Sequence, residues 1–179
     1  MPKYSKNINL IVTTEMAQQM LDKAANLRDK FLIAILYFSG ARPDELTRLM
    51  KKNIILREDG CLEIKLHTDK LGDNNQVFII AERILTMKPD MQFFHTIYTY
   101  WSTSNVETLL SLTVRRIEQI IEQLSGGLLC PYNFRHSRLT KLARSGATLD
   151  QLMYWKGAKD VRSVSPYIGG KRVEFDKIE

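Results

Sequence analysis

The chain has 179 residues, which is enough for one domain with a sizeable hydrophobic core. Its composition, 44% hydrophobic and 26% charged, is that of an ordinary globular protein and excludes a fibrous or globally disordered chain. Lysine and arginine outnumber the acidic residues by 26 to 20, and the formal net charge of +6 is compatible with a polyanionic partner.

The few cysteines and histidines exclude several classes of site. Cys61 and Cys130 stand far apart, and the three histidines form no metal-ligand spacing with them. The sequence therefore predicts no disulfide framework, no structural zinc and no other cofactor. The polar, lysine-bearing start lacks the apolar segment of a signal peptide, and no apolar run reaches membrane-spanning length, so we expect a cytoplasmic protein without membrane contact.

The first part of the chain predicts three helices. Thr13 or Thr14 is expected to cap the first, whose apolar residues share one face. The second helix, about Arg28 to Phe38, is apolar nearly all round, which is typical of a helix buried at the centre of a domain. Ser39-Gly40 is expected to end it, and Pro43 is favoured as the first residue of a third helix.

The middle of the chain predicts a small sheet. Asn53 to Leu56 and Cys61 to Leu66 are expected to be strands joined by a turn at Asp59-Gly60, with a third strand at Val77 to Ile80. We predict helical segments at 82–87, 93–101, 113–124, 134–144, 149–155 and 161–168. The predicted fold class is therefore α+β, mostly helical, with a three-stranded antiparallel sheet.

The positive charge is concentrated near the end of the chain. Residues 131–172 hold nine lysines and arginines against two aspartates, a net charge of +7, while the remainder of the chain sums to about −1. A run of charge is usually a solvated helical face. Concentration of the whole excess in one segment favours a surface that faces phosphates.

The segment from Gly40 to Leu46 is a candidate anion site. Arg42 lies at the mouth of a helix whose start is fixed by Pro43, so its guanidinium and the free backbone N–H groups can converge on one anion. Glu45 follows one helical turn later, where it can orient Arg42. An arginine near a helix cap is also common in proteins without such a site, so this motif alone is a weak signal.

The segment from Pro131 to Ser137 is a second candidate. Arg135 is expected at the start of another helix, three residues after Tyr132, and residues at this spacing can face the same point. Two arginines at helix starts and a tyrosine hydroxyl suit a phosphodiester better than a carboxylate. We expect His136 to be a packing or backbone-bonded histidine rather than a catalytic base.

Together these segments resemble a known family. Residues 39–46 resemble the first box of the tyrosine recombinases (phage integrases and Xer-type recombinases), of the form TGxRxxEL, and residues 134–137 resemble their second box, HxLRHT. Lys70, just before a Gly-Asp-Asn-Asn turn, resembles the β-hairpin lysine of the family. Tyr167, 32 residues after Arg135, stands where the family nucleophile stands. Four matches in this order make a specific signal.

Two positions depart from the family pattern. The first histidine of the second box is Tyr132 here, a replacement that resembles one found among archaeal and archaeal-virus integrases. The later histidine or tryptophan, nine residues before the nucleophile, falls on Ala158. Both family positions donate hydrogen bonds to the scissile phosphate, and Tyr132 can still do so whereas Ala158 cannot. Trp155 or Lys159 is a candidate replacement.

The resemblance implies a mechanism that needs neither ATP nor metal. Tyr167 attacks a DNA phosphate, a 3′-phosphotyrosyl bond forms, and a 5′-hydroxyl leaves. Arg42 and Arg135 stabilise the transition state, Lys70 protonates the leaving oxygen, and Tyr132 donates to the phosphate. Further contacts to DNA are expected from basic residues of the charged segment: Arg138, Lys141, Lys156, Lys159 and Arg162.

The resemblance also implies a domain organisation and partners. We expect a leader at 1–12, a catalytic domain at 13–168 and a tail at 169–179, with the N-terminal core-binding domain of the family absent. The expected function is site-specific recombination of double-stranded DNA, as a homotetramer on DNA and a monomer in isolation. One alternative is a degenerate recombinase-fold protein that binds DNA without cutting it, which Ala158 favours. Another is an unrelated helical protein that binds DNA or phosphate.

Overall fold

The computed structural model describes residues 9–71, 77–158 and 160–168, with 69–71 and 77–81 described as backbone. In chain order the elements of these residues are α1 (Thr14–Lys23), α2 (Leu27–Ser39), α3 (Pro43–Thr47), β1 (Ile54–Leu56), β2 (Leu62–Leu71), β3 (Val77–Met87), α4 (Phe94–Thr103), α5 (Val114–Leu124), α6 (Pro131–Arg144) and α7 (Leu149–Lys156). Short 3₁₀ helices occupy Lys51–Asn53 and Val161–Ser163. The predicted fold class, mostly helical with a three-stranded antiparallel sheet, is confirmed.

Helix α2 is the buried centre of the fold, as its apolar sequence predicts. Phe31, Ile33 and Leu36, which point to different sides of the helix, are all fully buried. The helix packs against α1, α4 and α6. The Asn26 side chain caps its start by accepting a hydrogen bond from the backbone N–H of Asp29, at 2.8 Å.

Gly40 ends α2 and brings the α2–α3 turn against α6. Its φ of +58° is left-handed, and its N–H donates to the carbonyl of Leu36 at 2.9 Å. A Cβ at this position would lie 3.0 Å from the Cβ of Arg138 and 3.2 Å from the Cα of Arg135. Because only glycine fits this close approach, the loop that carries Arg42 lies directly beside α6.

The strand β3 is longer than predicted. It pairs antiparallel with β2 from Leu62↔Met87 to Leu71↔Val77 and continues to residue 87, so the predicted helix at 82–87 is wrong. Within this segment Arg83, Leu85 and Met87 are buried, while the residues between them are exposed. This is the alternation of a strand. The arginine at an inward position hides that alternation from the sequence, because arginine is normally a surface residue.

Helix α6 starts one turn earlier than predicted, at Pro131 instead of Phe134. Proline is favoured at a first helical position, and the Asn133 side chain accepts a hydrogen bond from the N–H of Cys130 at 2.9 Å, which fixes the start. Arg135 therefore lies in the second turn of the helix rather than at its beginning. Its spacing of three residues from Tyr132 still places the two side chains on one face.

The predicted helix at 161–168 is divided into two turns. A 3₁₀ turn spans Val161–Ser163, and residues 165–168 form a separate helical turn. Pro166 has no N–H to donate to the earlier turn, which accounts for the break. Val164 is buried here in a second, smaller hydrophobic cluster with Leu139, Ala143 and Leu152, against which Tyr167 packs.

Across the described residues, no helix combines the length and the apolarity that crossing a membrane requires.

The burial of a leucine side chain predicts how much it contributes to the free energy of unfolding. Leu36 is fully buried in α2, whereas Leu128 is 61% exposed. We expect Leu36→Ala to lower the free energy of unfolding by about 2–5 kcal/mol, because it removes buried methyl groups and leaves a cavity. The matched control Leu128→Ala should change it by about 0.5 kcal/mol or less. Urea unfolding followed by circular dichroism measures both, and equal losses would contradict the assigned core.

Candidate active site

The carboxylate of Glu45 is the central acceptor of the site. One oxygen, Oε2, accepts a hydrogen bond from the backbone N–H of Arg42 at 2.8 Å. Pro43 begins α3 between these two residues, and the Glu45 side chain caps the helix by reaching back to its first turn. The carboxylate therefore fixes the backbone from which the Arg42 side chain extends.

Glu45 also joins α3 to the sheet. Its Oε2 accepts a hydrogen bond from Nη2 of Arg83 in β3 at 2.5 Å, and Thr68 Oγ1 in β2 donates to Oε1. Both members of the Glu45–Arg83 ion pair are buried, with 0% and 1% of the side chain exposed. Burial lowers the pKa of Arg83, and the charge of Glu45 opposes that shift. The pair locks the β2–β3 hairpin onto the start of α3.

The end of α7 is held by two guanidinium groups. Arg83 Nη1 donates to the carbonyl of Trp155, and Arg135 Nη2 donates to the carbonyl of Lys156 at 2.5 Å. The last carbonyls of a helix have no partner within the helix and carry its negative dipole end, so cations are favourable there. Arg135 Nη1 also donates to the carbonyl of Gly40 at 3.0 Å. Arg135 thus ties α7 to the α2–α3 turn.

A cleft of about 390 Å³ opens between α3, α5, α6 and the end of α7. Arg42, Tyr132, Arg135 and Lys156 contribute its donor side chains, and Asp44 and Glu118 contribute carboxylates. The remaining lining residues are Ala41, Pro43, Val114 and Pro131. The structure therefore brings the two arginines of the sequence motifs, and the tyrosine between them, to one surface.

The electrostatics of the cleft favour an anion. Burial lowers the pKa of Arg135 to about 10, with smaller contributions from the charges of Arg42 and Arg83, while Glu45 opposes the shift. The pKa of Lys156 is also lowered, first by burial and then by the charges of Arg135 and Arg42. These cations repel one another across the cleft, and an anion bound among them would relieve that repulsion.

Tyr167 lies beside this cleft. Its ring lies 5.5 Å from the ring of His136, between centroids, and its phenol is close enough to that of Tyr132 for the two to interact electrostatically. The Nζ of Lys156 is 5.5 Å from the Tyr167 ring centroid. Burial raises the pKa of Tyr167 to about 12, Tyr132 adds to the increase, and the charge of Arg135 opposes it. The phenol is therefore protonated at neutral pH.

The other predicted contact residues are distributed differently. The Arg138 guanidinium packs over the rings of Trp155 and Phe38, 4.7 and 5.3 Å from their centroids. Lys141 lies 5.7 Å from the ring centroid of Tyr37. The side chain of Arg162 is 93% exposed. Of the five predicted DNA contacts, Lys156 alone is both described and part of the cleft.

Two residues predicted for the site are not described in full: Lys70 is described only for its backbone, and Lys159 is not described. Lys70 lies on β2, where its backbone pairs with Phe78 across the hairpin. Lys159, and the predicted turn at 72–75, lie outside the described residues. Trp155, one candidate for the missing donor, uses its indole N–H for the carbonyl of Ser39 at 2.8 Å.

Sequence reasoning missed Arg83. The residue lies on a segment predicted as helix, and no local motif marks it. Its only signal is an inward position in the alternation of β3, which the structure makes visible. Among the described residues, no group of three or more histidine, cysteine or acidic side chains is arranged to hold a metal ion.

The chain is similar to known proteins in sequence and in fold. No family model matches the chain. The chain is 25% identical over 178 residues to tyrosine recombinase XerD of Neisseria meningitidis serogroup B (strain ATCC BAA-335 / MC58). The match covers 93% of the chain but 60% of the relative, so the chain spans less than two thirds of the length of this curated protein.

Solved structures give the fold. The XerA recombinase superposes with a TM-score of 0.71 at 18% identity, covering 98% of this chain and 66% of that one. The XerH recombinase bound to palindromic difH substrate, a post-cleavage complex, gives 0.67 at 18% identity, covering 96% and 52%. The Tn1549 transposon integrase in complex with circular intermediate DNA gives 0.63 at 15% identity, covering 96% and 67%. The chain therefore has the fold of the tyrosine recombinase catalytic domain.

The buried ion pair predicts a strong and non-additive stability effect. Glu45→Gln and Arg83→Met should each lower the free energy of unfolding by about 3–5 kcal/mol, because each leaves a buried charge without its partner. The double variant should lose less than the sum of the two. The exposed pair Arg57–Asp59, at 3.0 Å, supplies the control, and Arg57→Met should cost about 0.5 kcal/mol or less. Urea denaturation measures all four, and additive losses would contradict a direct interaction.

Proposed function

We propose that the chain is the catalytic domain of a site-specific DNA recombinase that cleaves and rejoins DNA through a 3′-phosphotyrosyl intermediate. The observation that carries this proposal is the cleft lined by Arg42, Tyr132 and Arg135, with the phenol of Tyr167 beside it. These residues come from distant parts of the chain, and their convergence at one cleft supports a shared role in holding an anion.

The proposed reaction exchanges one phosphoester bond for another. The Tyr167 oxygen forms a bond to phosphorus, and the bond from phosphorus to the 5′ oxygen breaks. In the net reaction the phenol loses one proton and the 5′ oxygen gains one, so neither hydrolysis nor a nucleotide cofactor is involved. Rejoining is the same exchange in reverse, with a DNA 5′-hydroxyl attacking the phosphotyrosine.

The two arginines would stabilise the charge on the non-bridging oxygens as phosphorus becomes five-coordinate. Planar guanidinium groups donate two parallel hydrogen bonds and suit such oxygens. The guanidinium of Arg135 is oriented before the substrate arrives by the carbonyls of Gly40 and Lys156, and Glu45 fixes the backbone from which the Arg42 side chain extends. Such pre-organisation is the main source of electrostatic catalysis.

Lys70 is the proposed proton donor to the leaving 5′ oxygen. It lies two residues beyond Thr68, whose hydroxyl donates to Glu45 next to the cleft. The hairpin that carries Lys70 is thus anchored at the edge of the site. A lysine on this strand can supply the proton that the departing alkoxide requires.

Tyr132 is proposed to replace the histidine donor of the second box, as in the YxxR variant that resembles archaeal and archaeal-virus integrases. It is 48% exposed, lines the cleft and lies close enough to Tyr167 to influence the pKa of that phenol. Its hydroxyl can therefore donate to the phosphate that Tyr167 attacks.

The proposed partner is double-stranded DNA. The XerH and Tn1549 integrase structures, which share this fold, are DNA complexes. We propose residues 13–168 as the catalytic domain, a homotetramer as the form active on two duplexes, and a DNA-associated protein in the cell. Arg138, Lys141, Lys156, Lys159 and Arg162 remain the proposed basic contacts around the site.

A DNA-binding protein without cleavage activity is the second candidate. Two observations favour it. Ala158 offers no hydrogen-bond donor where the family has one, and burial raises the pKa of the Tyr167 phenol, which makes its deprotonation harder. Such a protein would hold the phosphate in the same cleft and leave the DNA intact.

Covalent trapping distinguishes the two candidates. We expect the chain, incubated with a library of nicked duplexes of randomised sequence, to form a protein–DNA adduct that survives SDS. The nick lets the short 5′-hydroxyl strand diffuse away, so the intermediate accumulates. Tyr167→Phe should form no adduct because it lacks the attacking oxygen, and it should keep its affinity for DNA.

The control is binding of the same library at low salt, measured by gel shift. Tight binding by the wild-type chain without any adduct supports the non-cleaving candidate. An adduct of undiminished yield in Tyr167→Phe would assign the nucleophile to another residue. Failure to bind DNA would refute both candidates.

The proposed role of Arg42 predicts that its removal slows adduct formation more than it weakens DNA binding. Removal of one pre-organised donor to the transition state typically lowers the rate about 10²–10³-fold. We expect Arg42→Ala to slow adduct formation by that amount while weakening DNA binding much less. Arg57→Ala, at the far end of the sheet from the β2–β3 hairpin tip, is the matched control and should leave the rate unchanged. Equal losses of rate and affinity in Arg42→Ala would show that the arginine only positions DNA.

A further inference from the structure

Lys156 occupies a special place at the end of α7. It is the last residue of the helix, and Gly157, with φ +63°, turns the chain away immediately after it. Its backbone carbonyl accepts the hydrogen bond from Arg135. Its side chain lines the same cleft as Arg42, Tyr132 and Arg135. Its backbone position is therefore fixed by an arginine of the site that it faces.

The ammonium of Lys156 has more N–H donors than its contacts among the described residues use. One N–H donates to the carbonyl of Ser163, and the Nζ lies 5.5 Å from the ring centroid of Tyr167. A lysine has three N–H donors, so two stay available. Among the described residues no carboxylate forms an ion pair with Lys156, whereas Asp44, a carboxylate of the same cleft, pairs with Arg48 at 3.4 Å.

The charges that act on Lys156 are those of the proposed phosphate-binding arginines. Arg135 and Arg42 both lower its pKa, in addition to the effect of burial. A cation that is partly desolvated and repelled by two others is stabilised by an anion placed among all three. Among the described residues, the cleft therefore holds three positive groups, and no ion pair joins all three of them to one carboxylate.

Neighbouring side chains do not offer the same contact. The indole N–H of Trp155 donates to Ser39, and Ala158 has no polar side-chain atom. Arg162 is solvent-exposed and pairs with Asp160 at 3.5 Å. Within the described part of the segment 155–163, Lys156 is the cationic side chain that lines the cleft.

We propose that Lys156 is a catalytic residue that donates a hydrogen bond to a non-bridging oxygen of the same DNA phosphate held by Arg42 and Arg135. The proposal rests on the proposed recombinase function and assigns the cleft a third cation. It also gives the two proposed catalytic lysines different roles. Lys70 gives a proton to the leaving oxygen, and Lys156 keeps its proton and stabilises charge on the phosphate.

The first test compares rates on three cleavage-site chemistries in single-turnover adduct formation, using a nicked duplex recovered from the randomised library. On the ordinary phosphodiester, Lys156→Met should slow adduct formation about 10²-fold, as expected for one lost transition-state donor. Lys156→Arg should recover most of that rate. Lys88→Met is the matched control and should leave the rate unchanged, because Lys88 is exposed beyond the end of β3 opposite the hairpin tip.

The modified phosphates assign the role. A methylphosphonate at the cleavage site lacks one anionic oxygen, so the difference between wild type and Lys156→Met should shrink markedly. A bridging 5′-phosphorothiolate has a thiolate leaving group that needs no proton, so it should restore Lys70→Met and leave Lys156→Met slow. Restoration of Lys156→Met by the phosphorothiolate would make Lys156 the proton donor and overturn the proposal. Equal losses of rate and DNA affinity would overturn it as well.

A second test does not depend on cleavage. Lysine Cε and Nζ resonances are followed by NMR while inorganic phosphate is added, and the Lys156 signal is assigned by its loss in Lys156→Met. We expect phosphate to shift this signal and to raise the pKa of the Lys156 ammonium. Both changes should be smaller in Arg42→Ala. A shift without any DNA adduct would support the anion contact and refute the recombinase function. An adduct with no shift and a fully active Lys156→Met would refute the role of Lys156 alone.

Discussion

The buried ion pair between Glu45 and Arg83 is the interaction on which the site depends. Glu45 accepts hydrogen bonds from Arg42, Thr68 and Arg83, which belong to the start of α3, to β2 and to β3. A buried carboxylate that lost these donors would be strongly unfavourable, so the three elements have one low-energy arrangement. The positions of the Arg42 backbone and of the hairpin follow from this single carboxylate.

The same network reaches α7 through close backbone approach. Arg83 and Arg135 donate to the carbonyls of Trp155 and Lys156 at the end of that helix. At Gly157 a Cβ would lie 3.2 Å from Cδ of Arg83 and 3.3 Å from Thr68 Oγ1, so a side chain there would push the helix away from the sheet. The glycine therefore lets the helix end, and the Lys156 side chain with it, lie against the cleft.

Local chemistry makes the start of α3 and the central helix α2 predictable from the sequence, but not the start of α6 or the buried partners of the site. Pro43 marks the start of α3, and the apolar run of α2 identifies the central helix. The sequence predicts the start of α6 at Phe134, whereas the helix starts at Pro131, where the capping side chain is Asn133, two residues inside the helix. Arg83 was hidden for another reason. A charged residue in the core is stabilised by Glu45, a partner distant in sequence, and periodicity carries no information about such pairing.

The environment of Tyr167 constrains how the proposed nucleophile can be activated. Its ring packs against the second hydrophobic cluster, and the burial that holds it in place also raises its pKa to about 12. Arg135 lowers that pKa, but a phosphate bound to Arg135 would offset the effect of its charge. A free phenolate is therefore not formed before attack in the proposed reaction. The proton must leave as the oxygen–phosphorus bond forms, when the phenol becomes far more acidic, and Tyr132, whose phenol interacts with that of Tyr167, is a nearby group that can relay it.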